Sequence, residues 1–157
     1  MIANAVNTQS NGADFSVLVV DDNIDVADAL ADFLVISGMN ARAVHSVADA
    51  RCAIAGDPAI TVTVAGLRMP DKNGLELAIY LNESRAPSEA VSVVMMTGNP
   101  SNASAFAAGR NNIFAFFKKP LRPLHLAEVV RKANLAAIAS RAQGHIGDQQ
   151  TGDQTPG

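Results

Sequence analysis

The sequence predicts an α/β fold: one five-stranded parallel sheet, doubly wound, with helices on both sides. Three observations carry this. Short apolar runs alternate with helix-like stretches along most of the 157 residues. Several runs are continuous rather than alternating, as in VLVV and VSVVMM, and strands read this way when a parallel sheet is covered on both faces. Right-handed crossovers between successive runs then leave a sheet with helices on either side.

The strands are expected at 17–20, at 41–44 where the run is weaker, and at 60–65, 91–96 and 113–117. The first helix, 25–37, carries Ile24, Ala27, Leu30 and Leu34 on one face and Val26, Phe33 and Ile36 on another. Apolar residues on two sides predict deep packing, and Gly38 ends the helix. Ser46 is the expected N-cap of a second helix over 47–55, before the Gly56-Asp57-Pro58 break. A third helix runs over 75–84, and a short, Ala-rich fourth over 101–108. The fifth begins near Pro123, a favourable first-turn residue, with Leu126, Val130, Ala133 and Ala137 on one face.

Composition narrows the function classes. The chain is 48% hydrophobic and 17% charged, enough to bury a core, and its net charge of -3 offers no basic footprint for nucleic acid. Six Phe, one Tyr and no Trp argue against a base-stacking platform. No apolar run approaches the roughly 18–20 residues that span a bilayer, and residues 1–13 lack the pattern of a secretory signal. One cysteine, Cys52, excludes a disulfide framework and fits a small buried side chain on the second helix. These features predict a cytoplasmic protein without membrane insertion. Three segments are expected: a flexible N-terminal extension (1–13), one folded domain (14–142) and a flexible polar tail (143–157).

In open α/β sheets the site lies at the carboxyl ends of the strands. There the first strand is followed by Asp21-Asp22, the fourth ends in Thr97-Gly98 and the fifth in Lys118-Lys119-Pro120. Two adjacent carboxylates suit a hard cation such as Mg²⁺, or they cap the first helix through Asp22 or Asp25. The Thr97 hydroxyl can donate to an anionic oxygen, or simply begin a turn. His125 reads as a surface residue of the last helix, and the three His show no metal-ligand spacing.

Together these residues resemble the receiver domain of bacterial response regulators, the flavodoxin-like signalling module of two-component phosphorelays. The loop Leu67-Arg68-Met69-Pro70-Asp71-Lys72-Asn73-Gly74 resembles the family's Met-Pro…Gly turn after the third strand, and Phe116 stands where the family carries an aromatic switch residue, three before Lys119. The resemblance covers about residues 14–142. It implies switch roles for Thr97, Phe116 and Lys119. It implies a Mg²⁺ site of Asp21, Asp22 and the backbone carbonyl of Arg68. It also implies partner proteins (a histidine kinase, phosphotransfer or effector protein) on the face of the fourth helix, fifth strand and fifth helix.

One departure governs the chemistry. The family's phosphoacceptor Asp lies three residues before the Met-Pro pair, and that position here is Gly66. No Asp or Glu lies between Pro58 and Pro70, so a register slip supplies none. Phosphoryl transfer to an enzyme group needs a nucleophile, and glycine has no side chain. The expectation is a stand-alone, degenerate receiver, a pseudo-receiver that signals by binding, with no catalytic residue and a weak or vestigial Mg²⁺ site, and with Lys119 as the main countercharge for Asp21 and Asp22. Alternatives are a receiver with a relocated acceptor (Thr97, Asp21 or Asp22) and an ordinary receiver bearing an introduced Asp-to-Gly change. Other enzyme classes lack their motifs: no P-loop, GxGxxG or hydrolase triad is present.

Overall fold

A computed structural model describes residues 15–67, 74–97, 113–118 and 122–154, with the backbone alone for residues 87 and 144–154. Five strands form one sheet: β1 Ser16–Val20, β2 Asn40–Val44, β3 Ile60–Gly66, β4 Ser92–Thr97 and β5 Ile113–Lys118. Their order is β2-β1-β3-β4-β5 and every pairing is parallel. The helices are α1 Ile24–Ile36, α2 Val47–Gly56, α3 Gly74–Ser84 and α4 Pro123–Gln154, with a 3₁₀ turn at Pro87–Glu89. The sheet thus has the predicted doubly wound form, and strand limits differ by about one residue from those read in the sequence. The helix expected over 101–108 lies outside the described residues.

The central strands explain the continuous apolar runs. Every residue of β3 and β4 is buried, whereas the edge strand β2 is largely half-exposed. Two cores result, one on each face. Val17, Val19, Val62 and Val64 pack with Leu30 and Leu34 of α1 and with Leu126 and Val130 of α4. Leu18, Val20, Val93 and Met95 pack with Ile54 of α2 and Leu77 of α3. Each fully buried Leu contributes about 1.5–3 kcal/mol by leaving water. The four α4 residues predicted to share a face, Leu126, Val130, Ala133 and Ala137, are all buried.

Helix ends follow local chemistry. Ser46 caps α2 by accepting from the Asp49 amide at 3.1 Å, as expected. Gly38, at φ +98°, closes α1: its N–H donates to Val35 O and that of Met39 to Leu34 O, both at 3.0 Å. This paired return to the last turn needs a left-handed residue, which glycine supplies without strain.

Two expectations are corrected. The second apolar side of α1 is packed only at Phe33, which lies partly buried against the core; Val26 is 38% and Ile36 82% exposed, and Ile24, expected on the inward face, is 55% exposed, because the sheet face accommodates chiefly the stripe Ala27, Leu30, Ala31, Leu34. Cys52 is exposed, not buried, since the inward stripe of α2 is Val47, Ala50 and Ile54 and position 52 falls opposite it. Helical backbone continues past 142, through Gln154; no proline interrupts it before Pro156, and isolated glycines only weaken a helix.

The lower end of α4 is bound to the sheet. Arg141 donates to Ala90 O at 2.8 Å, Pro58 O at 2.9 Å and Ile60 O at 3.0 Å, at the amino ends of β3 and β4. Burial, with the nearby Arg85, lowers its pKa, and Glu89 partly offsets this; the guanidinium keeps its charge throughout the working pH range.

Candidate functional site

The site residues gather on the carboxyl edge of the three central strands. β1 ends at Val20, which pairs with Ala65, so Asp21 emerges beside Gly66. Gly66 is the last residue of β3 and pairs with Met96; Thr97 follows as the last residue of β4. Asp21, Gly66 and Thr97 thus terminate three adjacent strands, and all three are buried.

The two carboxylates differ. Asp21 is only 1% exposed, and its Oδ1 accepts from the Asn23 amide at 3.0 Å. Asp22 is exposed. Neither Asp22 nor Asp25 caps α1. The cap is Asn23, whose side-chain oxygen accepts from the Val26 amide at 3.1 Å. The sequence held the signal, because Asn is as good an N-cap as Asp and stands immediately before the apolar run. The loop after β1 therefore ties one carboxylate inward and leaves the next exposed at the edge.

The glycine of the loop after β3 also has a defined role. Gly74 opens α3, its N–H donating to Leu67 O at 2.7 Å. A Cβ there would overlap the carbonyl oxygen of Gly66 and lie 3.1 Å from both the Gly66 carbonyl carbon and Met95 Sδ. The start of α3 thus presses on the backbone of the position where the resemblance expects a carboxylate. Leu67 N donates to Met96 O at 2.8 Å, which fixes the last β3 peptide against β4.

Phe116 lies on β5 opposite Met95, partly buried against the α2/α3 core. Its neighbour Phe117 faces the other core and meets the ring of the exposed His125 edge-on at 5.0 Å. Arg68 and Lys119 lie outside the described residues, as does the Lys119–carboxylate pair expected from the sequence. For Mg²⁺ the described side-chain donors are Asp21, with one oxygen engaged by its own loop, and Asp22; Gly66 adds no side-chain ligand. Among the described residues no group of three or more His, Cys, Asp or Glu could hold a metal ion, and no helix is long and apolar enough to cross a membrane.

Comparison with known proteins agrees with this geometry. Residues 17–131 match the family described as "Response regulator receiver domain". The chain is 30% identical over 129 residues to transcriptional regulatory protein FixJ of Rhizobium meliloti, covering 82% of this chain and 61% of that protein. It is 33% identical over 109 residues to photosynthetic apparatus regulatory protein RegA of Cereibacter sphaeroides, covering 69% and 57%. The chain thus spans roughly two-fifths to three-fifths of the curated relatives it matches. Solved structures share the fold. A sensor protein from Polaromonas sp. superposes with TM-score 0.70 at 23% identity (78% of this chain, 98% of that one). A CheY-like receiver domain from Methanospirillum hungatei superposes with TM-score 0.69 at 21% identity (78% and 95%). With the five-stranded parallel sheet, the acidic end of β1 and the Thr at the end of β4, a match over residues 17–131 makes this chain a member of the response regulator receiver domain family.

Proposed function

We propose that this receiver is a pseudo-receiver: it signals through protein contacts and takes no phosphoryl group at the end of β3. The observation that carries the reading is Gly66 itself, the terminal β3 residue, set between buried Asp21 and buried Thr97. A phosphoacceptor at that point needs a nucleophilic oxygen, and the chain provides only a backbone there. Asp21 and Asp22 would hold Mg²⁺ weakly, with the Arg68 carbonyl as the remaining protein ligand implied by the family, since a hard cation loses affinity with each missing carboxylate.

Partners are signalling proteins such as a histidine kinase, a phosphotransfer protein or an effector, met at the face of the helix predicted over 101–108, β5 and α4, in the cytoplasm and without nucleic acid. A binding partner that prefers one arrangement of Thr97 and Phe116 would switch the domain without covalent chemistry, because differential affinity alone shifts a two-state equilibrium.

The test is intact-mass and peptide-mapping spectrometry after incubation with Mg²⁺ and a small phosphodonor. An unmodified chain is the expected outcome. A phosphoryl group mapped to Thr97, Asp21 or Asp22 would overturn it and make the protein a phosphorelay component with a relocated acceptor.

A further inference from the structure

A cleft of about 260 Å³ opens at the amino ends of β4 and β5, at the pole of the sheet remote from Asp21, Gly66 and Thr97. The last turn of α3 borders it through Asn82, and α4 borders it through Ala136, Ala137 and Ser140. A cavity of about 150 Å³ is enough to hold benzene, so a space of this size takes a molecule of one or two rings.

Two lining residues point to a ligand. The first is Ser92 of β4. It is only 7% exposed, and its hydroxyl makes no hydrogen bond with another described residue. Buried hydroxyls nearly always have a partner. Val94 and Met96 pack in the core on the α4 side, so strand alternation turns Ser92 to that side as well, where the cleft lies. The second is Phe114 of β5. Ile113 pairs with Val93 but Ala115 with Val94, which makes Phe114 the extra residue of a bulge. Bulges re-aim side chains beside functional sites. This one sets an aromatic ring, 40% exposed, in the wall of a cleft whose α4 side carries small alanines. A flat ring packs well in such a slot.

Charge sets the ligand class. No side chain lining the cleft is ionisable. Arg141, which follows Ser140, already donates to Ala90 O, Pro58 O and Ile60 O. An ionised ligand would lose water here without gaining a countercharge. Ala90 also lines the cleft, so its bond from Arg141 holds that wall in place.

We propose that this cleft binds a small neutral aromatic, a one- or two-ring heterocycle whose ring lies against Phe114 and the α4 alanines and whose polar edge hydrogen-bonds the Ser92 hydroxyl. Because the cleft joins β5 to α4, an occupant ties together two elements of the proposed partner face and supplies an input that needs no phosphoryl group. That consequence rests on the pseudo-receiver reading, whereas the site does not; phosphodonor labelling decides the former whatever the binding test gives.

The test is titration of the full chain with indole and with indene, its carbon analogue without the N–H, followed by amide NMR. Indole is expected to give saturating shifts around residues 82, 90–92, 113–114 and 136–140, with a Kd of about 1 mM or tighter. Ser92→Ala, which removes no described hydrogen bond of the fold, should weaken indole about three- to tenfold and leave indene unchanged. Ala136→Leu fills the cleft and should abolish both titrations. Should it not fold, Ser140→Leu at an exposed position narrows the same cleft, and the same loss is expected. Shifts that do not saturate, shifts centred elsewhere, undiminished binding in a folded filled variant, or an equal loss of indole and indene in Ser92→Ala would each overturn the proposal.

Discussion

Thr61 Oγ1 of β3 donates to Oδ1 of Asn134 of α4 across 2.6 Å, with both side chains buried. This bond fastens the middle of the C-terminal helix to the central strand. Removing one partner leaves a buried polar atom unsatisfied and costs about 1–3 kcal/mol, whereas replacing both by apolar groups is nearly neutral. Asn134→Leu and Thr61→Val should therefore each lower the urea midpoint, and the double variant should recover much of the loss. A double-mutant cycle from equilibrium unfolding measures this.

Gly74→Ala should destabilise by about 1–3 kcal/mol, because backbone cannot yield as a flexible side chain does and the new methyl overlaps the Gly66 carbonyl. Gly56→Ala is the control. Nothing lies within 4 Å of a Cβ there, and an alanine in a helix is worth up to about 1 kcal/mol over glycine. Thermal unfolding should move in opposite directions for the two substitutions.

Asn23→Ala removes the cap of α1 and should cost about 1 kcal/mol. Asn23→Asp keeps an acceptor and places charge favourably at the helix start, so its stability should stay close to wild type. Chemical denaturation separates the two.

Gly66→Asp places a carboxylate between Asp21 and Thr97. Mg²⁺ binding, followed by amide NMR shifts near Asp21 and Asp22, should tighten by at least about tenfold as the cation gains a ligand. The variant should then take up a phosphoryl group from a small phosphodonor at residue 66. An unchanged Mg²⁺ titration would show that the closely packed start of α3 excludes the carboxylate.

Much of this architecture is legible in the residues. The runs VLVV and VSVVMM have no polar alternation because β1 and β4 have helices on both faces, and the α4 stripe from Leu126 to Ala137 follows helical spacing because one side of it is core. The capping role of Ser46 is equally plain. What was not legible depends on which of two apolar faces finds a partner. Val26 and Ile36 look as buried as Leu30 until the sheet is seen to have room for one stripe only. Residue type alone makes Cys52 look buried, whereas its phase relative to Val47 and Ile54 points outward. At the site, Asp21, Gly66 and Thr97 are brought to one edge as their strand positions predict. The roles of Asn23 and Gly74 became visible only with backbone geometry, since a cap and a close approach depend on where the amides point. Arg141 gave no sequence signal, because its three acceptors are main-chain oxygens far along the chain.

Those three bonds have a mechanical consequence. A rod held at one point can pivot; a rod held at two cannot. Arg141 holds α4 at the end of the sheet remote from Asp21, Gly66 and Thr97, and Asn134 holds it again to Thr61 of the central strand. The helix therefore keeps its direction over that stretch, and the part left to adjust to events at the acidic edge is the part ahead of Asn134, beginning at Pro123.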